Sequence, residues 1–207
     1  MNGQIQYGLF RLMTSTVTHE PSNLDLPRRL AAFRHDMQRA GDHPTRADLA
    51  ALVERARELE LGDEHIGQEL EEIHACASAL DLADAIARGD LPLAGTIDRL
   101  PAGDACHFAS PVRFGRRRTD QFGHLELTSR WLKFHAVIDV SVAWSEVAHV
   151  HRLGREVTIT LVDSTRLLRF WCPCLADAAR AAVLAHHFAR PSRGHATPTD
   201  ATCHAWV

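Results

Sequence analysis

The chain of 207 residues holds a single lysine, Lys133, against 22 arginines. With its many alanines, that skew is the mark of a GC-rich coding sequence, and no mechanism is read into it. No stretch approaches the roughly 20 consecutive apolar residues of a membrane-spanning helix. The N-terminus lacks a basic start followed by an apolar run, so export is not expected. With only 12 glycines and 5 cysteines, fibrous and disulfide-scaffold classes are excluded. The cysteines (Cys76, Cys106, Cys172, Cys174, Cys203) are odd in number and cannot all pair within the chain. Reduced thiols in a cytoplasmic protein are therefore the expectation. Enzyme signatures are missing too: there is no G-x-S-x-G, no glycine-rich phosphate loop, no H-E-x-x-H and no kinase set. Neither catalysis nor a cofactor is expected. What is present, 45% hydrophobic and 24% charged residues at net charge −3, belongs to a folded protein of one or two domains.

Charge divides the chain in two. Residues 1–100 carry 10 Arg and 17 Asp or Glu, a net −7, whereas residues 101–207 sum to +4. The hydrophobic period changes at the same place. Residues 1–23 have no sustained period and read as a leader. Residues 24–100 read as a module of three helices. Leu26, Leu30, Phe33, Met37 and Ala40 recur at 4-3-4-3 spacing behind Pro27 and before Gly41. Thr45 with Asp48 forms a capping pair for a second helix along Leu49, Leu52, Val53, Ala56 and Leu59, with Gly62 as its stop. The third, capped by Asp63, carries Ile66, Leu70, Ile73, Ala77 and Leu80 to about Arg88, where Gly89 and Pro92 end it. Each helix has one apolar stripe, so the three must pack on one another or on a partner.

From about residue 105 the period falls to two. Seven windows alternate apolar with polar residues: 106–114, 125–128, 132–136, 138–144, 147–153, 157–161 and 168–172. The step from Trp144 to Val147 signals a bend. Connections this short forbid parallel crossovers, so the sheet is antiparallel, and half-polar strands favour a small barrel or sandwich. An alanine-rich helix follows from about Leu175 to Ala189. Residues 191–207 read as a tail.

Seven short antiparallel strands and a C-terminal helix resemble the pleckstrin-homology superfold. Gly123-His124-Leu125-Glu126-Leu127-Thr128-Ser129-Arg130-Trp131-Leu132-Lys133-Phe134 is similar to a hairpin of bacterial PH-like and GRAM-type domains. Val142-Ala143-Trp144-Ser145-Glu146-Val147-Ala148-His149-Val150 resembles a further strand of that group. The likeness spans roughly residues 105–190. The fold expected is α+β: a three-helix module, then a PH-like seven-stranded antiparallel barrel over residues 104–190 closed by a helix. The resemblance implies a binding module, since members engage phosphoinositides, peptides or proteins.

Arg113 and Arg116-Arg117-Arg118 flank the turn between the first two strands. In PH domains that hold phosphoinositides this loop carries the basic residues. Several guanidiniums on one loop make paired, charge-assisted bonds to phosphate oxygens, each worth about 1 kcal/mol near an anionic membrane. A protein partner is the first reading for the module, through the barrel or through a strand edge beside the last helix. Anionic lipid held by the four arginines is the alternative, and an enzyme or metal protein without a recognisable motif is the third. Nucleic acid is not expected, because the third helix carries Glu64, Glu69, Glu71, Glu72, Asp81 and Asp84 before Arg88 and repels phosphate. Metal sites are not expected either. Glu71-x-x-His74 has di-iron spacing but no second such helix, and Glu146 with His149 falls in a strand. Cys172-x-Cys174 with His186 and His187 has one intervening residue where structural zinc pairs have two to four. Cys174 stands before the last helix, where a thiol is acidified, yet a small apolar corner residue is the simpler reading. An outward Trp131 or Trp171 would mark a contact surface.

Overall fold

Each helix is cut out by its capping chemistry. In the computed structural model, which describes residues 25–41, 44–95, 100–115, 120–162 and 167–189, α1 (Leu26–Ala40) begins with Pro27 in its first turn. It stops at Gly41, whose φ of 70° needs no Cβ. α2 (Arg46–Glu58) is opened by the expected capping box: the Asp48 N–H donates to Thr45 Oγ1 and the Thr45 N–H to the Asp48 carboxylate. Its end differs from the expectation at Gly62. Glu60 takes the left-handed conformation at φ 51°, and Leu61 N–H donates to Ala56 O at 2.9 Å, so the helix stops at Glu58 and buries Leu61 behind it. Gly62 instead caps α3 (Asp63–Ala87), the position expected of Asp63. α3 loses helical geometry at Ile66 (φ −138°, ψ 26°), then runs on to Gly89, which closes it as expected.

Seven strands follow: β1 (Cys106–Phe114), β2 (Gln121–Thr128), β3 (Trp131–His135), β4 (Val140–Ala143), β5 (Val147–Leu153), β6 (Glu156–Leu161) and β7 (Leu167–Trp171). All pairs are antiparallel, in the order β4-β3-β2-β1-β7-β6-β5. The fourth window is shorter than expected. Ile138 lies in an exposed turn and Trp144 begins a 3₁₀ turn (Trp144–Glu146), which is the bend its spacing signalled. The Trp144 indole donates to Thr128 O at 2.8 Å, so its polar edge is satisfied while its ring is buried. α4 (Leu175–Ala189) then closes the barrel, pressing Ala178, Ala181, Ala182, Leu184 and Ala185 into the core with Phe108, Leu125, Phe134, Ile159 and Phe170. The architecture is α+β, three helices ahead of a seven-stranded antiparallel barrel with a C-terminal helix. The expected leader and tail lie outside the described residues.

The helices are joined to the barrel through α3. Ala75 and Ala79 pack on Leu175 and Ala179 of α4, and small side chains let the two helices approach closely. Farther along, Leu82 and Ile86 rest on the barrel core. The Arg152 guanidinium of β5, 2% exposed, pairs with the Glu72 carboxylate of α3, 9% exposed. Its Nη1 also donates to Gly154 O at 3.1 Å. Glu71 caps α4 from outside, its Oε1 accepting the Leu175 N–H at 3.1 Å while Oε2 meets Arg155 at 3.0 Å. These donors hold the Glu71 carboxyl below the usual carboxylate range, the Leu175 N–H foremost. The segment after α3 is pinned as well. The His107 Nδ1–H donates to Pro92 O at 2.7 Å, and Ala94 N–H donates to Cys106 O.

Candidate functional site at the hairpin end

The strand registers place three hairpin turns at one end of the barrel. The turn between β1 and β2 follows Phe114, which pairs with both Gln121 and Phe170. Gly115 N–H donates to Arg169 O, so the start of β7, and with it the turn after β6, lies alongside. β3 runs antiparallel to β2 with His135 opposite His124, which brings the β3–β4 turn to the same end. Large apolar side chains stand in water there: Val137 at 96% exposure, Phe122 at 81%, with Ile138, Val162 and Leu167 also exposed. They come from the β3–β4 turn, from the residue after β6, from the start of β7 and from the second residue of β2, so the exposure is shared by several elements of this end.

Of the four arginines singled out by sequence, Arg113 alone is among the described residues. It lies on the outer face of β1, between Phe122 of β2 and Trp171 of β7 in register. Its guanidinium sits 5.0 Å from the Trp171 ring centroid, a cation–π contact. Its Nε lies 3.0 Å from Asp120 Oδ2, and the Asp120 side chain is 10% exposed. Arg113 is thus braced across the first hairpin by an aromatic face and a carboxylate. Arg116, Arg117 and Arg118 lie outside the described residues.

A groove of about 420 Å³ runs along the outer face from this end, lined by Pro111, Val112, Arg113, Phe122, Arg155, Trp171, Cys172 and Pro173. It opens where β1 and β7 part. Arg113 opposite Trp171 is the first rung of that ladder. Pro111 and Pro173, which both line the groove beyond it, have no N–H to offer a β1–β7 bond. Sequence reasoning had flagged Trp171 and Trp131, and Trp131 is exposed at 36%. It missed Phe122, Asp120, Val137 and Val162. The available signal was Val137-Ile138, two adjacent apolar residues between alternating strands, where a turn should be polar.

The other chemical candidates are used structurally. Glu71 serves the α4 cap and Arg155. Cys174 Sγ accepts the Asp177 N–H at 3.4 Å, the contact of an N-capping residue, while Asp177 Oδ2 accepts the buried Ser110 hydroxyl at 2.8 Å. Burial, above all, pushes the Cys172 thiol up to about 12. Among the described residues no group of three or more His, Cys, Asp or Glu is placed to hold a metal ion, and no helix is long and apolar enough to cross a membrane.

No family model matches the chain, and no curated protein matches it. Similar solved structures include the C-terminal domain of an unknown protein from Leishmania infantum, at 12% identity and TM-score 0.37 over 43% of this chain and 88% of that one. The linker-DH/PH domains of p115-RhoGEF align at 11% identity and TM-score 0.37, covering 80% of this chain and 54% of theirs. The DH/PH domains of PDZ-RhoGEF, solved with GTP-gamma-S activated RhoA, align at 11% identity and TM-score 0.37 over 80% and 53%. The chain thus spans about half the length of the two RhoGEF structures. Likeness at this distance carries no functional argument.

Proposed function

We propose that this protein is a non-catalytic docking module whose PH-like barrel binds a protein partner at the hairpin end and along the groove beside it. The observation that carries the reading is Phe122, 81% exposed next to the Arg113–Trp171 stack and over an apolar groove. An exposed aromatic beside an arginine and a half-buried tryptophan has the composition of an interface anchor. Phe122→Glu and Trp171→Ala should each abolish cross-linking to the partner, identified by mass spectrometry of the wild-type complex, while Arg46→Ala on the helices should not. Equal capture by all four proteins would overturn the reading.

A second reading has its own observation. Val137, Ile138, Val162 and Leu167 stand exposed at the end that also carries Arg113, and the sequence that follows Arg113 holds Arg116, Arg117 and Arg118. Apolar tips among arginines suit an anionic bilayer, where each basic group contributes about 1 kcal/mol and the apolar groups add salt-insensitive adhesion. Sedimentation with phosphatidylserine vesicles, lost in Arg116→Ala/Arg117→Ala/Arg118→Ala protein, supports it. No sedimentation at low salt rejects it.

A further inference from the structure

Resting on the hairpin end as the working surface, we propose that protonation of His135 fixes the β3–β4 turn, so that the surface has a pH-dependent shape. His135 is the last residue of β3. Its Nε2 lies 3.3 Å from Glu126 Oε2 of β2, and its Nδ1 lies 3.4 Å from Asp139 Oδ1 in the turn. A carboxylate only accepts hydrogen bonds, and a neutral imidazole carries one N–H. The ring can therefore donate to both partners only as imidazolium. When neutral, it must turn a lone pair toward one carboxylate or release it.

The contact released is the one to Asp139. Glu126 is 15% exposed and stands opposite Lys133 in the β2–β3 register, so a cation remains beside it in either state. Asp139, 71% exposed, belongs to the turn itself. At His135 the backbone is paired with β2 and approaches it closely, since a Cβ on Gly123 would meet the His135 carbonyl oxygen at 2.2 Å. The slack lies in residues 136–139, which carry Val137 and Ile138. The charged and titratable groups facing His135 are Glu126 and His124 of β2, Lys133 on its own strand, and Asp139. Pro111 of β1 and Val140 and Ser141 of β4 bring no charge to the cluster. His124 stands directly opposite, and its own protonation opposes that of His135. An exposed pair of this kind is worth up to about fivefold in the ratio of tied to released turn.

The test is a methyl NMR titration of the full chain from pH 5 to 8.5, observing the Ile138 and Val137 methyls and the His135 ring. The methyl shifts should follow the His135 ring in the wild type and stay flat in His135→Gln. In Asp139→Asn the ring should still titrate while the methyls no longer follow. Flat methyls in the wild type would overturn the proposal, as would a response that persists in His135→Gln. A response removed by His124→Gln alone would reassign it and sink the role of His135. None of these readouts needs a partner, so failure of docking and failure of the switch are separately visible.

Discussion

Replacing Arg152 with methionine removes the guanidinium and leaves the Glu72 carboxylate buried, with the Cys76 thiol at 3.6 Å as its remaining short-range donor. Both side chains are more than nine-tenths buried, so solvent cannot take over the lost role. Breaking a buried pair by deleting one partner costs about 3–5 kcal/mol, because a desolvated charge is left behind. For a chain of this size each kcal/mol moves the melting temperature by about 2–4 °C, so Arg152→Met should melt about 6–20 °C lower. Replacing both partners by apolar residues of similar volume is near neutral, so Glu72→Leu/Arg152→Met should return to within about 1 kcal/mol of the wild type. Urea titration followed by tryptophan fluorescence reads this directly, provided the slope is unchanged among the variants. Arg46→Ala, which removes exposed contacts to Asp81 and Asp84, serves as control and should leave the midpoint in place. A double variant whose loss equals the sum of the two single losses would refute the reasoning, since uncoupled residues add.

Three further outcomes follow from the same geometry. Glu71 is held below its usual range, so its contribution is present above the unfolded carboxylate value and fades as pH falls through the lower folded one. The stability gap between wild type and Glu71→Gln should accordingly be open at pH 7 and close on acidification below about pH 4; a gap that widens in acid contradicts the assignment. Cys172, buried and pushed up to about 12, should resist iodoacetamide at pH 8 in the native protein while half-exposed Cys174 is alkylated, and peptide mapping that finds Cys172 modified first would contradict its burial. Gly123→Ala should destabilise by about 1–3 kcal/mol or more, the cost of an overpacked site, because the new methyl meets the His135 carbonyl and the Phe134 ring at 2.2 and 2.7 Å. An unchanged unfolding midpoint would show that β2 and β3 can separate there at no cost.

Periodicity was enough to locate the elements, because Phe33–Met37 and Leu49–Leu52–Ala56 each fill one helical stripe, and strand alternation follows from one buried face. Element ends were legible only where a side chain dictates them. Thr45 with Asp48 is such a case. Glu60 is not, since a glutamate in left-handed backbone is a solution that sequence statistics assign to the neighbouring Gly62. Ile138 was placed in a strand because it continues the alternation with Val140 and Val142, but β4 pairs only from Val140 to Ala143. Of the site, Arg113 was found by charge. Its engagement by Asp120 and Trp171 was not, because those residues lie 7 and 58 positions away and meet it only through the sheet register.

Register also explains why the attachments of the helical segment leave one end of the barrel uncovered among the described residues. Arg152 and Arg155 flank the β5–β6 turn, Leu175 follows β7, and His107 stands at the start of β1. Each of these points lies at the end of its strand remote from the three hairpin turns. The attachments of the helical segment, Glu72 to Arg152, Glu71 to Arg155 and Leu175, and Pro92 to His107, thus fall on that remote side. Leu82, Ile86 and Leu91 add apolar cover to the core the barrel shares with α4. Acidic helices whose carboxylates are committed to barrel arginines account for part of the charge division between the halves without invoking a cationic ligand. The hairpin end keeps the exposed side chains of Val137, Ile138, Val162, Leu167 and Phe122, with Arg113, outside these attachments, so apolar surface there is still available to be buried.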